Sequence, residues 1–225
     1  MPCPLSIKSL LKEDGLPRIA SRLRDANEIT IVALGSSTTE GTGASRGDLT
    51  YPALVQARLR LAFPNHAVTV LNKGVGGETA RQMESRLDRD VFAHRPDLVL
   101  WQTGTNEAIR QVAPERMAAA LDRGVKRIRE RGIDVLLIGP QHSAPLERHV
   151  ANYPAYVASM RDFADSRGIP YFDRHAAMLL WDTRQRPRAL LTSDNLHMND
   201  EGYHCLGGAI AEAILCLSGG DCPEQ

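Results

Sequence analysis

Two adjacent serines, Ser36 and Ser37, close the apolar run Ile29-Thr30-Ile31-Val32-Ala33-Leu34-Gly35, and far down the chain Asp194 stands three residues before His197. Between them lie the glycine pair Gly76-Gly77 and an asparagine, Asn106, in Gly104-Thr105-Asn106-Glu107. A serine hydroxyl is a weak nucleophile at its ordinary pKa. It needs a base beside it and donors for the charge that develops on the attacked oxygen. Acyl transfer asks for a nucleophile, a base, a group that fixes the base's tautomer, and oxyanion donors. Serine, histidine, aspartate, a glycine N–H and an asparagine amide make up that set. Each has a plainer reading alone: serines cap turns, glycines make tight turns, Asn106 can cap a helix, and a single histidine is commonly a surface group.

The chemistry needs elements to hold it. The run from Ile29 reads as a strand buried on both faces, as in the middle of a parallel sheet. Helical spacing over Tyr51 to Phe63 is closed by Pro64. A short strand, Val68 to Leu71, a helix, Ala80 to His94, and a strand, Asp97 to Gln102, follow. Then come helix Pro114 to Arg131, strand Ile133 to Ile138, helix Tyr153 to Arg167, and a short strand, Pro170 to Asp173. A helical piece, Ala176 to Trp181, and a final helix, Asp200 to Leu217 capped by Asn199, complete the series. Residues 1–27 read as a partly helical lead-in (Pro4 to Asp14 and Pro17 to Asp25), 28–218 as one domain, and 219–225 as a tail. Alternation of strand and helix about five times predicts an α/β fold with a flavodoxin-like, five-stranded parallel sheet. Ligands of such sheets bind beyond the carboxyl ends of the strands, where Ser36, Ser37, Gly77 and Asn106 all fall.

Composition removes several function classes. The chain has 225 residues, 43% of them hydrophobic, enough for one sizeable domain. Lys plus Arg and Asp plus Glu are both 27, so zero net charge gives no electrostatic reason to expect nucleic acid or an anionic membrane. No run approaches a membrane span. Met1 to Leu16 lacks the apolar core of a signal peptide, so a cytoplasmic protein is expected, or a periplasmic or secreted one if a leader has been removed. Cys205 reads as a small buried thiol, and a Cys216–Cys222 bridge is feasible in an oxidising compartment. The seven histidines show no H-x-x-x-H or H-E-x-x-H pattern, so neither metal nor cofactor is expected. His142 and His149 flank a loop at the active end of the sheet, within reach of a substrate. Gly74-Val75-Gly76-Gly77 does not continue to a third spaced glycine, which argues against a dinucleotide site.

Gly35-Ser36-Ser37, Gly77, Gly104-Thr105-Asn106 and Asp194-Asn195-Leu196-His197 together resemble the four blocks of the SGNH (GDSL-type) hydrolases. They occur in the family's order, and the resemblance spans about residues 29–215. It implies a three-layer α/β/α sandwich and cofactor-free hydrolysis of an acyl ester or thioester. By position, Ser37 matches the family's nucleophile, and Asp194 and His197 its acid and base. The Ser37 and Gly77 amides and the Asn106 side chain match the oxyanion hole. Ser36 replaces the family's usual Asp, and Glu107 replaces the usual Asp after the third-block Asn. With His142, these two are expected on the substrate side. The loops Gly41 to Thr50, Ile109 to Ala113, Gln141 to Val150 and Leu180 to Thr192 are short and mixed, which favours a small acyl or acetyl group on a carbohydrate or similar small molecule over a long-chain lipid. A thioesterase or lysophospholipase, an O-acyltransferase on the same site, and a non-catalytic carbohydrate- or partner-binding module are the competing readings. Oligomeric state is not legible.

Overall fold

The computed structural model describes residues 3, 11, 15–25, 28–184 and 190–220. Its strands are β1 (Glu28–Gly35), β2 (Ala67–Gly74), β3 (Leu98–Gln102), β4 (Asp134–Ile138) and β5 (Tyr171–Phe172). Its α-helices are α1 (Pro17–Asp25), α2 (Ser37–Glu40), α3 (Tyr51–Ala62), α4 (Ala80–Ser85), α5 (Leu87–Asp90), α6 (Thr105–Ile109), α7 (Pro114–Arg129), α8 (Ala144–His149), α9 (Tyr153–Ser166), α10 (Arg174–Arg184) and α11 (Asp200–Leu217). All strand pairs are parallel, in the order β2-β1-β3-β4-β5. This is the flavodoxin-like order, with its switch point between β1 and β3.

The two-residue period of the strands sorts the core into two layers. Ile29, Ile31 and Ala33 point with Leu98, Leu100, Leu136 and Ile138 toward α1, α3, α10 and α11. Val32 and Leu34 point with Val99, Trp101, Val135 and Leu137 toward α4, α5, α7 and α9. Alternate residues thus face opposite helix layers, and the three-layer α/β/α sandwich follows. The bounds of α11 agree with those expected, and those of β1, β3, β4 and β5 do so within a residue, whereas β2 runs on to Gly74, beyond the expected end at Leu71.

The differences have local causes. The long helix expected from Ala80 to His94 is interrupted at Arg86 and Val91. Arg86 is buried and its guanidinium is spent on tertiary contacts with Glu78 Oε2 (2.6 Å), Asp90 Oδ2 (2.9 Å) and the Gly35 carbonyl (3.2 Å). The expected helix over Pro4 to Asp14 lies outside the described residues apart from Leu11, which pairs with Phe172 in an antiparallel bridge at the sheet edge. Cys205 is not the free thiol the sequence suggests. It is bridged to Cys3, with the Cα atoms 5.5 Å apart, so the N-terminal segment is tied to α11. Cys216 is also disulfide-bonded, and Cys222 lies outside the described residues. Among the described residues, no helix is long and apolar enough to cross a membrane.

Candidate active site

The strand ends and the loop before α11 meet at one point. β1 stops at Gly35, where a Cβ would collide with Thr39 Oγ1 and Gln102 Oε1, so only glycine fits. The two serines that follow have opposite surroundings. Ser36 is 4% exposed, and its amide and hydroxyl both donate to Gln102 Oε1, at 3.1 and 3.2 Å. Thr39 Oγ1 donates to the same oxygen at 3.1 Å. Ser36 is therefore consumed in a buried network beneath the turn. Ser37 opens α2 and turns its Oγ to His197 Nε2, 3.1 Å away, although 160 residues separate the two in the chain.

The His197 loop is built around one carboxylate. Asp194 Oδ2 lies 2.6 Å from His197 Nδ1. Its Oδ1 accepts from the Thr192 hydroxyl at 2.6 Å and from the amides of Leu196 and His197, each at 2.9 Å. Asn195 takes a positive φ of 57° to close the turn, a conformation that asparagine tolerates better than most residues. Burial alone would raise the Asp194 pKa, but the donors from Thr192, His197 and Leu196 outweigh it and hold the carboxyl well below the usual carboxylate range. An ionised Asp194 fixes the imidazole proton on Nδ1 and leaves Nε2 as the acceptor that faces the Ser37 hydroxyl. The loop is anchored by Gln141 Nε2 on the Leu196 carbonyl (2.8 Å) and Ser143 Oγ on the Asn195 carbonyl (2.6 Å).

The glycine turn arrives from β2. Val75 N donates to the Gly35 carbonyl at 3.0 Å, and Arg86 binds that same carbonyl and the Glu78 carboxylate. Gly77 has φ 77°, a left-handed geometry that disfavours a side chain. Asn106, in the first turn of α6, donates its Nδ2 to the Glu78 carbonyl at 2.9 Å. The Asn106 amide and Gly77 are thus brought to one turn, and a second N–H of the same amide remains beyond that bond.

The three residues expected on the substrate side are all buried. Ser36 faces inward, as described. Glu107 is 1% exposed, and its carboxylate accepts from Ala80 N, Thr103 Oγ1 and Gly104 N. It caps α6 and joins it to α4, which fixes the position of the neighbouring Asn106. His142 is 8% exposed, with Nδ1 2.6 Å from Glu147 Oε1. In each case the side chain is buried and bonded to internal partners.

Sequence reasoning missed Arg174, which is fully buried at the start of α10. Its Nε donates to the Gly139 carbonyl (2.9 Å), Nη1 to Thr38 Oγ1 (3.0 Å) and Nη2 to Thr105 Oγ1 (3.3 Å). Burial lowers its pKa, yet an arginine stays charged in proteins. Thr38 adjoins Ser37 and Thr105 adjoins Asn106, so one cation ties both turns to the end of β4. The only signal in the sequence is an arginine directly after a strand, which equally fits a solvated helix start.

Comparison with known proteins gives the family and the fold. The chain matches the Non-GDSL lipase-like family over residues 2–217 and belongs to that family, an SGNH/GDSL-type fold. It is similar to an acetylxylan esterase of Geobacillus stearothermophilus, 35% identical over 83 residues, or 36% of this chain and 38% of that enzyme. The chain spans between 36% and 54% of the length of the curated relatives it matches. Among solved structures, it resembles a two-domain esterase active on acetylated mannans, with a TM-score of 0.78 at 21% identity, covering 97% of this chain and 58% of that one. It also resembles LAE5, an alpha/beta hydrolase enzyme from the metagenome of Lake Arreo, Spain, with a TM-score of 0.70 at 27% identity, covering 85% of this chain and 95% of that one.

Two outcomes follow from these contacts. Arg174→Ala leaves the Gly139 carbonyl and two threonine hydroxyls without their partner and opens a cavity. It should destabilise the protein by about 2–4 kcal/mol in denaturant unfolding. Asp194 has a folded-state pKa below its unfolded one. Its contribution to stability is therefore fully present above about pH 5, begins to be lost as the pH falls below the unfolded value of about 4, and is lost completely only as the pH falls through the lower folded-state value. The stability gap between wild type and Asp194→Asn should stay constant from pH 7 to 5 and narrow at pH 3, measured by unfolding at each pH.

Proposed function

We propose that this chain is a serine hydrolase of carboxylic esters, with Ser37, His197 and Asp194 as its reacting relay. The observation that carries the reading is the unbroken contact from Ser37 Oγ to His197 Nε2 (3.1 Å) and from Nδ1 to Asp194 Oδ2 (2.6 Å). His197 takes the Ser37 proton as Oγ attacks the acyl carbonyl. Asp194 steadies the imidazolium, as the orienting carboxylate does in other relays of this kind. The oxygen of the tetrahedral intermediate is met by the amides of Ser37 and Gly77 and by the Asn106 side chain. The first amides of a helix have no partner within it, so the Ser37 N–H at the start of α2 is suited to this task. His197 then protonates the leaving alcohol, and a water activated by the same imidazole releases the acyl group from Ser37.

The substrate we infer is a small acyl group, acetyl foremost, on a carbohydrate hydroxyl. Two similar proteins are named for such esters, an acetylxylan esterase and an esterase active on acetylated mannans. Val75 in the glycine turn is exposed, and the Arg110 guanidinium lies next to Gly77. Polar and short apolar groups of that kind suit a sugar ester more than a long acyl chain. The Cys3–Cys205 bridge favours an oxidising compartment over the cytoplasmic one expected from sequence.

The test is acetate release from acetylated xylan and mannan oligosaccharides and from a small activated acetyl ester. Ser37→Ala should abolish turnover while Ser36→Ala keeps it. Asn106→Ala should lower turnover about a hundred-fold or more through loss of an oxyanion donor. Background rates from wild type on every ester, or activity that survives Ser37→Ala, would overturn the assignment.

A further inference from the structure

One cluster of ligating side chains lies outside this relay. His142 follows β4, Glu147 sits in α8 and His175 in the first turn of α10, and their donor atoms converge. Glu147 Oε1 is 2.6 Å from His142 Nδ1 and 3.0 Å from His175 Nε2. One ligand atom from each lies within 4.8 Å of the others. We propose that His142, Glu147 and His175 bind one divalent transition-metal ion, zinc above all, as a structural clamp behind the His197 loop.

The donor types select the ion. Two imidazoles and a carboxylate form a three-ligand set that leaves a fourth zinc position for water. Calcium and magnesium prefer all-oxygen shells, whereas imidazole suits zinc, copper and nickel. Zinc bonds of about 2.0–2.2 Å at tetrahedral angles put neighbouring donors about 3.3 Å apart. The two separations to Glu147, 2.6 and 3.0 Å, are slightly shorter than that value and all three donors lie within 4.8 Å of one another, so small side-chain rotations that widen the cluster bring the three into register. The imidazole rings meet edge to face, with centroids 5.3 Å apart, which directs two nitrogens to one carboxylate without stacking the rings. Burial also fits a site with one open position. His142 is 8% exposed, while the side chains of Glu147 and His175 are 26% and 20% exposed.

The position gives the ion a task. Gln141 and Ser143, on either side of His142, hold the carbonyls of Leu196 and Asn195. Arg174, beside His175, binds the threonines next to Ser37 and Asn106. An ion at this cluster would join α8 and α10 to the loop that carries Asp194 and His197. Sequence spacing hides the site because its ligands come from three elements and form no short motif.

The experiment uses untagged full-length protein stripped with a chelator, titrated with zinc alone by calorimetry and with cobalt by absorption spectroscopy. Wild type should take up one equivalent of zinc, rise in melting temperature on doing so, and show the visible bands of a cobalt site of low coordination number. Glu147→Gln and His175→Ala should each weaken zinc binding by about ten-fold or more. His149→Ala, exposed at the end of the same helix, should bind as wild type does. If both ligand variants fail to fold, diethylpyrocarbonate modification of wild type decides, because zinc should protect His142 and His175. No stoichiometric uptake by wild type, uptake unchanged in both folded variants, uptake lost with His149→Ala, or equal modification with and without zinc would each overturn the proposal. The cluster would then be a hydrogen-bonded His–Glu–His bridge only.

Discussion

Arg174 carries a positive charge with no solvent exposure, and among the described residues its contacts are made to the Gly139 carbonyl and the hydroxyls of Thr38 and Thr105 rather than to a carboxylate. A buried charge is tolerable only when its donors are met. The requirement works in both directions. The guanidinium needs three separate segments held in place, and its planar fork holds those segments in turn. Two of the segments are the turns that begin α2 and α6, so the serine and asparagine of the site sit on elements that cannot shift independently. The surrounding tyrosines stay neutral: burial raises the pKa of Tyr51 and Tyr171, and that of Tyr153 is pushed up to about 12.

Around that tie, further buried bonds divide the labour between neighbours in sequence. Ser36 and Ser37 are chemically identical, yet Gln102 claims the first and leaves the second to His197. Asn106 and Glu107 divide similarly: Glu107 binds the backbone beneath α6, and Asn106 reaches the glycine turn. In the opposite direction, Asp194 builds its own loop by accepting two amides and a hydroxyl before it touches the imidazole. Geometry fixed in this way needs little reorganisation during a reaction, which is the source of most electrostatic stabilisation in such sites.

Much of this was legible in the sequence because it depends on local pattern. The unbroken apolar run before Gly35 placed β1, and alternation of strand and helix gave the sheet type. The resemblance of four short blocks drew Ser37, Gly77, Asn106, Asp194 and His197 together across the chain, and the structure brings Ser37, His197 and Asp194 into contact. What was not legible depends on tertiary neighbours. Nothing local says that Ser36 and Glu107 face inward, since Gln102 and Ala80 are supplied by other elements. Arg174 looks like a surface charge until the sheet closes over it. The Cys3–Cys205 bridge joins residues 202 positions apart, and the break at Arg86 follows from contacts with Gly35 and Glu78 that helical periodicity does not register.

Everything proposed for the reaction depends on Ser37, activated by His197, being the attacking group. That role is tested most directly by treating the protein with a fluorophosphonate, which phosphonylates only an activated serine, and locating the adduct by intact mass and peptide mapping. A single adduct should form on Ser37, and far more slowly in His197→Ala. An adduct on Ser36 or another residue, or no adduct on a folded wild-type protein, would contradict it.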